Sequence, residues 1–402
     1  MEQDSDIAWA FVPYRGAQVK SAVSGPLASL SFGVKDLFDV AGYPTSVGNP
    51  MMLALMGTRE RHATAVQQLL DAGASFAGKT HTEEFAFSII GSNPNFSTPI
   101  NGAAPDRYCG GSSSGSASAV SNGLVDFALG TDTGGSVRAP ASNCNLFGLR
   151  PTHGAISLSG CWDLAPALDT CGFFARDLNT FARVANTLLP ASPQSGDPRL
   201  LVAESLWQRL DPAVHQSLQP ALEQILKTFA DVGEAGSIDL AMGSLDSLAH
   251  SFRSIQCSQA WETNGELIEK HRIGIGEGVR QRLYAGRDMP EADRAAAQIF
   301  RQRYRDYLSN LLGTDGVVVL PTLHDVAPLR TETDPTVLDV YRQRAIEFTA
   351  AASLAGLPQL TLPLCTHDGA PIGISLLGPA GADRWLIELA ERIELAGLIS
   401  GL

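Results

Sequence analysis

The chain has 402 residues, of which 44% are apolar and 18% charged, and its net charge at pH 7 is −13. This composition is that of a globular protein, and no apolar run approaches the roughly 20 residues of a membrane-spanning helix. An acidic chain also repels nucleic acid unless it carries a basic patch, and the arginines of 272–305 are interleaved with acids. We therefore expect neither a nucleic-acid nor a membrane partner.

The N-terminal sequence MEQDSDIAWAF has neither the basic nor the apolar segment of a secretion signal, which predicts a cytoplasmic location. Six cysteines are scattered along the chain without a CxxC pair, at positions 109, 144, 161, 171, 257 and 365. This spacing argues against a zinc ribbon, a redox motif and a dense disulfide framework. We expect reduced thiols, most of them buried.

The first hundred residues predict alternating strands and helices. Segment 31–42, SFGVKDLFDVAG, predicts a short strand ending near Lys35, and apolar residues at helical spacing predict a helix over 62–72. The strand ASFAG and the helix-like HTEEFAFSI (81–89) follow. The loop from 91 to 107 is rich in Asn, Pro, Ser and Gly, and loops of this length are often functional.

The stretch from Cys109 to Pro140 predicts loop, helix, strand, loop and helix, with a glycine-flanked serine cluster in each loop. Asp177 can cap the helix that follows it, and the Pro/Ser-rich segment 189–198 is the best candidate for a linker. Further predicted elements are strands at LLVAES, GVVVLPT, PQLTLPL and PIGISLLG, helices between about 210 and 312, and helices near 337–355 and 383–396. Strands mixed with helices indicate an α/β fold, and no internal repeat is present.

Residues 73–80, GASFAGKT, match the phosphate-loop pattern GxxxxGK[ST]. A phosphate loop follows a strand and opens a helix, so that backbone N–H groups face the phosphates. Here the first glycine ends a predicted helix and the second ends a predicted strand. The context therefore argues against nucleotide binding.

The first serine cluster also contains a GxSxG pattern, which would make Ser113 the nucleophile of a Ser-His-Asp hydrolase. Such an elbow needs a strand directly before it, and the preceding INGAAPDRYC is rich in turn-forming residues. The eight histidines are interpreted by default as surface or core residues.

Lysine is the alternative base for a serine, and it accepts a proton only when it is neutral. Burial lowers the pKa of a lysine, and Lys35 has apolar neighbours at Val34 and Leu37. Asp36 follows directly, but adjacent strand residues point to opposite faces, so it need not pair with the amine. For any lysine considered alone, a structural salt bridge is the commoner explanation.

The second serine cluster, Thr131 to Ser136, can turn so that consecutive backbone N–H groups point into one concavity. Such a turn would stabilise an oxyanion, and its glycines permit the unusual dihedral angles and a close approach of substrate. The alternative is a flexible Gly/Ser linker. A linker is less consistent with the flanking apolar strand and helix.

Together, GGSSSGSASAV, LGTDTGGSVRAPASNCNLFGLRPTHG and the earlier VKD resemble the amidase signature family, closely over about Ser31 to Asp177. FDVAGYPTSVGNP, RPTHGAIS and DTCGFFARD are most similar to the short indole-3-acetamide hydrolases. The resemblance implies a single domain over 1–402 with a central mixed, twisted sheet covered by helices on both faces. Its signature core would span about 31–190, a variable helical region 190–315, and a part completing the sheet 316–402.

The family's Ser-Ser-Lys triad falls on Ser136 as nucleophile, Ser112 as proton relay and Lys35 as base, with a cis Gly111–Ser112 bond. The resemblance also implies an oxyanion hole formed by Thr133, Gly134, Gly135 and Ser136. It implies supporting roles for Ser113, Thr131, Asp132 and Arg138, and it places Phe87 in the substrate pocket. Ser114 departs from the glycine of many relatives.

The resemblance implies an amidohydrolase that cleaves a small amide, with an aryl or arylacetic acyl group suggested by the branch, through an acyl-enzyme. It implies no metal or cofactor. The alternatives are a subunit of a multi-subunit amidotransferase, a urea- or biuret-type hydrolase, and a non-catalytic amidase-like binding module. The expected partner is a small-molecule amide, and a homodimer is the favoured assembly.

Overall fold

A ten-stranded mixed sheet forms the centre of the computed structural model, which describes residues 8–14 and 16–397. Its strands are β1 (Ser31–Lys35), β2 (Ser75–Thr80), β3 (Phe127–Asp132), β4 (Phe147–Arg150), β5 (Thr170–Ala175), β6 (Arg199–Ala203), β7 (Gly236–Ile238), β8 (Gly316–Pro321), β9 (Gln359–His367) and β10 (Ala370–Leu377). The strand order is β2-β1-β3-β5-β4-β9-β10-β8-β6-β7. Pairing is parallel at the two ends of the sheet and antiparallel between β3 and β8.

Twelve helices accompany the sheet in the described residues. They are α1 (Pro50–Met56), α2 (Thr64–Asp71), α3 (Ser114–Ser121), α4 (Arg138–Asn143), α5 (Leu178–Leu188), α6 (Glu204–Trp207), α7 (Pro212–Thr228), α8 (Leu245–His271), α9 (Glu277–Arg287), α10 (Glu291–Leu312), α11 (Pro335–Ala355) and α12 (Asp383–Leu395). The α/β class and the helices predicted at 62–72, 337–355 and 383–396 are confirmed. So is the Asp177 cap, whose carboxylate accepts a hydrogen bond from the Thr180 N–H at 2.8 Å.

The helix expected at HTEEFAFSI is wrong. Only Glu84–Ala86 forms a short 3-10 turn, and both Phe85 and Ala86 have positive φ. The reason is tertiary, because the buried Glu84 carboxylate accepts hydrogen bonds from Asn49 and Asn95 and from the Gly276 N–H. These partners from three separate segments hold the backbone away from helical geometry.

The sheet is buried on both faces, as the alternation along β3 shows. Phe127 and Leu129 pack into the large core that also contains the phenylalanines of α5 and β1. Ala128 faces a second cluster, formed with Ala117 and Val120 of α3 and with α4. Because successive strand residues point to opposite faces, helices must cover both sides.

The predicted linker, 189–198, runs from α5 to β6, a strand of the same sheet, so it does not separate two sheets. All six cysteines are free and five are buried, as expected. The expectation that the chain has no secretion signal depends partly on residues 1–7, which lie outside the described part of the chain. Within the described part, none of the helices has the length and apolarity needed to cross a bilayer.

Adjacent parallel strands explain where the two functional segments meet. Strand β1 pairs in parallel with β3, and Val34 lies opposite Leu129. The carboxyl ends of both strands therefore reach the same edge of the sheet, where Lys35 and Thr131 end up side by side. Open α/β sheets commonly bind ligands at this edge.

Candidate active site

Lys35 is fully buried at the end of β1. Its Nζ donates hydrogen bonds to Ser112 Oγ at 2.8 Å and to Thr131 Oγ1 at 2.7 Å. Burial among apolar residues lowers the pKa of Lys35 to about 7, although more distant acidic groups partly oppose this shift. A substantial fraction of this lysine is therefore neutral near physiological pH, and the neutral amine can accept a proton.

Asp36 points away from Lys35, as the strand alternation predicts. It forms an ion pair with Lys79, with 2.8 Å between Lys79 Nζ and Asp36 Oδ1, and accepts hydrogen bonds from Tyr14 and Ser46. Lys79 belongs to the phosphate-loop pattern, but Gly78 lies inside β2 and no helix of the described chain begins directly after it. The structure thus agrees with the rejection of nucleotide binding at this motif.

Ser112 and Ser113 lie just before α3, and the Gly111–Ser112 peptide is cis, as the family resemblance implies. The Ser113 hydroxyl donates to the Thr131 carbonyl at 3.2 Å, so it is engaged with the backbone of β3. Ser113 is fully buried, and the segment directly before it is not a strand. It is poorly placed to be an elbow nucleophile.

The turn after β3 is organised by Asp132. Its carboxylate accepts hydrogen bonds from the N–H groups of Gly135 at 2.9 Å and Val137 at 3.0 Å, which fixes the backbone on both sides of Ser136. Gly135 has φ +117°, and a Cβ there would lie 2.9 Å from Thr349 Cγ2. Only glycine fits this position without strain.

Asp132 is in turn neutralised by two buried arginines, Arg138 and Arg150. Burial alone would raise the pKa of Asp132, but the Arg138 guanidinium and then Arg150 hold it well below its usual range. Arg138 continues the network to the Thr349 carbonyl and Gln359. The expected bracing of the turn by Asp132 and Arg138 is therefore present as geometry.

Sequence reasoning missed Arg150, although a signal was available. An arginine at the end of the apolar strand FGLR must find a partner when it is buried, because an unpaired buried charge is costly. Asp169, which accepts a hydrogen bond from the Thr133 hydroxyl at 2.6 Å, was missed as well. Its signal was weaker, since Asp169 lies in a turn where acidic residues are common.

Ser136 opens into a cleft with about 300 Å³ of empty space, part of which is open to solvent. Gly134 and Phe87 line the same cleft, so the structure places Phe87 near Ser136. The cleft is completed by side chains that sequence reasoning did not identify: Ser88, Ile89, Gln256, Arg282, Arg342 and Ile346. The side chains contributed by α8, α9 and α11 lie more than a hundred residues from Ser136 in sequence. No local pattern distinguishes them from ordinary helix residues.

Of the three predicted triad residues, only two are linked directly. Lys35 and Ser112 are hydrogen-bonded, whereas within the described residues no hydrogen bond joins Ser112 to Ser136. Both serines are buried, with Ser136 6% exposed and Ser112 fully shielded. The arrangement offers a partly neutral lysine, a serine hydroxyl bonded to that lysine, and a second serine hydroxyl that lines the cleft.

The family model described as Amidase matches residues 12–387. The chain belongs to the amidase family. Amidase 1 of Arabidopsis thaliana is 33% identical, and the alignment covers 96% of this chain and 97% of that protein. A glutamyl-tRNA(Gln) amidotransferase subunit of Thermus thermophilus is 32% identical, with 92% and 85% covered.

A solved structure described as an amidase superposes with a TM-score of 0.78 at 28% identity, covering 92% of this chain and 85% of the other. The fold expected from the signature motifs is thus that of solved amidases. As a member of the amidase family, the protein is an amide hydrolase. The family assignment confirms the sequence resemblance at the level of the family, whereas the similarity to indole-3-acetamide hydrolases remains a prediction.

Proposed function

We propose that the protein hydrolyses a small amide through an acyl-enzyme formed on Ser136. The observation that carries the proposal is the 2.8 Å hydrogen bond between Lys35 and Ser112 inside a buried site that lowers the lysine pKa to about 7. Serine needs a base within hydrogen-bond reach to become a nucleophile. Lys35, acting through Ser112, is the base that this geometry favours.

In the proposed first step, Ser136 Oγ attacks the amide carbonyl carbon while its proton passes to Ser112 Oγ. Ser112 releases its own proton to neutral Lys35 Nζ. The tetrahedral intermediate then collapses, the C–N bond breaks, and a proton returns through Ser112 to the departing amine or ammonia. Water repeats the sequence on the acyl-enzyme and releases the carboxylic acid. The transfer requires Ser136 Oγ to come within hydrogen-bond reach of Ser112 Oγ.

The oxyanion would be held by backbone N–H groups of the turn from Thr133 to Ser136. Of the four that the resemblance implies, the Gly135 N–H donates to Asp132 in this structure. We therefore assign the oxyanion contacts to the N–H groups of Thr133, Gly134 and Ser136, and give Gly135 the role of shaping the turn. Loss of one such donor typically lowers kcat about 10²- to 10³-fold.

Replacement of the nucleophile tests this proposal. Ser136→Ala should abolish turnover of a simple aryl amide, measured as released amine, while circular dichroism shows an intact fold. Ser113→Ala separates the two serine hypotheses, because it should lose far less activity than Ser136→Ala. A Ser136→Ala variant that turns over substrate at the parent rate would refute the assignment.

A second candidate is an amidotransferase subunit that works only with a partner chain. The similarity to a glutamyl-tRNA(Gln) amidotransferase subunit over 92% of this chain supports it. The purified single chain decides between the two, since an isolated hydrolase turns over a simple aryl amide and a dependent subunit does not. Inclusion of urea and biuret in the assay also tests the urea-type alternative.

For the acyl group, we propose aryl or arylacetic amides as the first substrates to assay, on the basis of the resemblance to the indole-3-acetamide hydrolases. The position of Phe87 in the cleft beside Ser136 supports an apolar contact. A panel of primary amides, anilides and ureas, compared by kcat/KM, measures this preference. Equal kcat/KM for acetamide and for arylacetamides would contradict it.

A further inference from the structure

Arg282 is a feature of the cleft that amide hydrolysis alone does not use. It projects from α9 into the cleft that Ser136 lines, and its Nη2 donates to the Phe87 carbonyl. Its Nε is shielded from solvent and has no hydrogen-bond partner. Arg282 also forms no ion pair with any residue in 8–14 or 16–397. A guanidinium has five donors, so Arg282 retains the capacity to bind an anion.

The charges around Arg282 add to this capacity. Arg342 of α11 lines the same cleft and lies close enough to repel Arg282, although Arg342 is itself paired with Asp339. Burial, then repulsion by Arg342, lowers the pKa of Arg282 to about 10, so it stays protonated at neutral pH.

Two carboxyl groups, Glu83 and Asp339, attract Arg282, but neither forms an ion pair with it. Burial raises the pKa of Glu83 to about 7, which leaves much of it uncharged. Asp339 is shared with Arg342 and Gln343. Within the described part of the chain, Arg282 is therefore a cation without a directly bonded carboxylate.

A partly buried, unpaired guanidinium is unfavourable unless a ligand supplies the missing anion. Its planar fork matches the two oxygens of a carboxylate. We propose that the substrate is an amide that also carries a carboxylate, which binds Arg282, assisted by Arg342, while the amide carbonyl reaches Ser136. This inference rests on the proposed function of Ser136 and narrows its substrate class.

The same contacts limit how an aryl acyl group could use Phe87. The guanidinium carbon of Arg282 lies 5.3 Å from the centroid of the Phe87 ring, so one face of that ring is already covered. The carboxylate could belong to the acyl part, as in a monoamide of a dicarboxylic acid. It could equally belong to the amine part, as in an N-acyl amino acid. Assays with substrates of both kinds show which part carries the carboxylate.

The test compares charged and neutral substrates of matched size. For the parent enzyme, kcat/KM is measured for succinamate and glutaramate against butanamide and pentanamide, and for N-acetylglycine against N-ethylacetamide. We expect at least one charged substrate to be preferred, and Arg282→Gln to reduce that preference about 10- to 100-fold, the effect of losing a charge-assisted contact. Arg282→Lys should restore part of it.

Arg280→Gln is the matched control. Arg280 lies on the same helix, but its side chain is 49% exposed and pairs with Glu277 outside the cleft. It should leave the charged-to-neutral ratio unchanged. Because the readout is a ratio, a variant that merely loosens the fold would lower both rates and leave the ratio where it was.

A binding measurement keeps the inference separate from the catalytic proposal. Succinate and glutarate binding to the intact protein is followed by calorimetry, and Arg282→Gln should weaken it about tenfold or more. If neutral amides are preferred and hydrolysed in a Ser136-dependent way, the carboxylate inference fails while the catalytic proposal stands. If dicarboxylates bind through Arg282 and no amide is hydrolysed, the catalytic proposal fails instead. If dicarboxylates do not bind and the ratio is unchanged in Arg282→Gln, the inference is wrong.

Discussion

The two sides of the cleft treat charge in opposite ways. On the side built from β1, β3 and the turn after β3, two buried carboxylates have cationic partners: Asp132 is held by Arg138 and Arg150, and Asp36 by Lys79. On the side built from α9 and α11, Arg282 has no ion pair within the described chain and is repelled by Arg342. The first side has the character of a scaffold, and the second has the character of a binding surface.

The difference teaches how to separate structural from functional arginines. Arg138 is fully buried, and its guanidinium contacts Asp132, the Thr349 carbonyl and Gln359. A saturated arginine stabilises the folded state and has little capacity left for a ligand. An arginine that faces a cleft with a free donor has the reverse properties, and four variants test this contrast, from the largest expected effect to the smallest.

The largest effect is expected at Asp132. Asp132→Asn removes the negative charge that Arg138 and Arg150 share while keeping the shape of the side chain. Leaving buried guanidinium groups without their carboxylate should lower the free energy of unfolding by about 3–5 kcal/mol, measured by urea denaturation. The control is Asp339→Asn, on the other side of the cleft, where the Asp339 side chain is 43% exposed. An equal loss of stability in this variant would contradict the difference between the two sides.

Lys35 lies on the scaffold side of the cleft, and burial disfavours its charged form. Lys35→Met tests the energetic cost of that buried charge. The pKa of Lys35 is about 7 in the folded protein and near 10.5 ordinarily, so the unfolded chain binds more protons between these values. Stability of the parent should therefore rise from pH 7 to 10.5. At pH 6, where the penalty is full, Lys35→Met should raise the free energy of unfolding by about 1–3 kcal/mol and abolish turnover.

The check is urea denaturation of both proteins at several pH values. The advantage of the methionine variant should shrink as the pH rises toward 10.5. Parallel stability curves for parent and variant would show that Lys35 does not carry a depressed pKa.

Thr131 should have a smaller, catalytic effect. Lys35 must lose its proton to act as the base, so kcat should fall about tenfold per pH unit below pH 7. Thr131→Val removes an acceptor at 2.7 Å that favours the ammonium form, so this acidic limb should move to lower pH. At the plateau, kcat should fall about tenfold because Lys35 loses an orienting contact. An acidic limb that stays in place in the variant would mean that Thr131 does not act on Lys35.

Arg282 should have the smallest effect on stability. Because it has no ion pair to lose within the described chain, Arg282→Gln should change the free energy of unfolding by about 1 kcal/mol or less, in the same urea experiment. Its consequence should appear in the choice of substrate instead. A loss above about 3 kcal/mol would place Arg282 with the scaffold arginines and would contradict the contrast.

Much of this protein could be predicted from the sequence because the information was local. Strand β1, helix α3, strand β3 and the Asp177 cap follow from periodicity and from turn and capping residues, which act within a few positions. The phosphate-loop and elbow patterns were rejected on local context as well. The family motifs gave the α/β fold, and the structure places Lys35 and Ser112 together at one sheet edge and Ser136 and Phe87 in one cleft.

Other features depended on contacts that no local pattern encodes. The segment HTEEFAFSI has helical character, but hydrogen bonds from distant segments to Glu84 override it. The Gly135 N–H was expected in the oxyanion hole and instead reaches the Asp132 carboxylate, which depends on how the turn closes. Arg150 and Asp169 entered the site only when β4 and β5 were placed beside β3.

The sequence by itself determined the α/β class and the family, and it singled out a lysine and two serines as candidates, since all of these depend on short local motifs. Only the tertiary structure decided that Lys35 is buried enough to lose its proton near pH 7 and that Arg282 lines the same cleft as Ser136. The physical reason is the same in both cases. Desolvation and electrostatic pairing depend on which distant chain segments pack together, and the properties of a charged side chain are set by those neighbours.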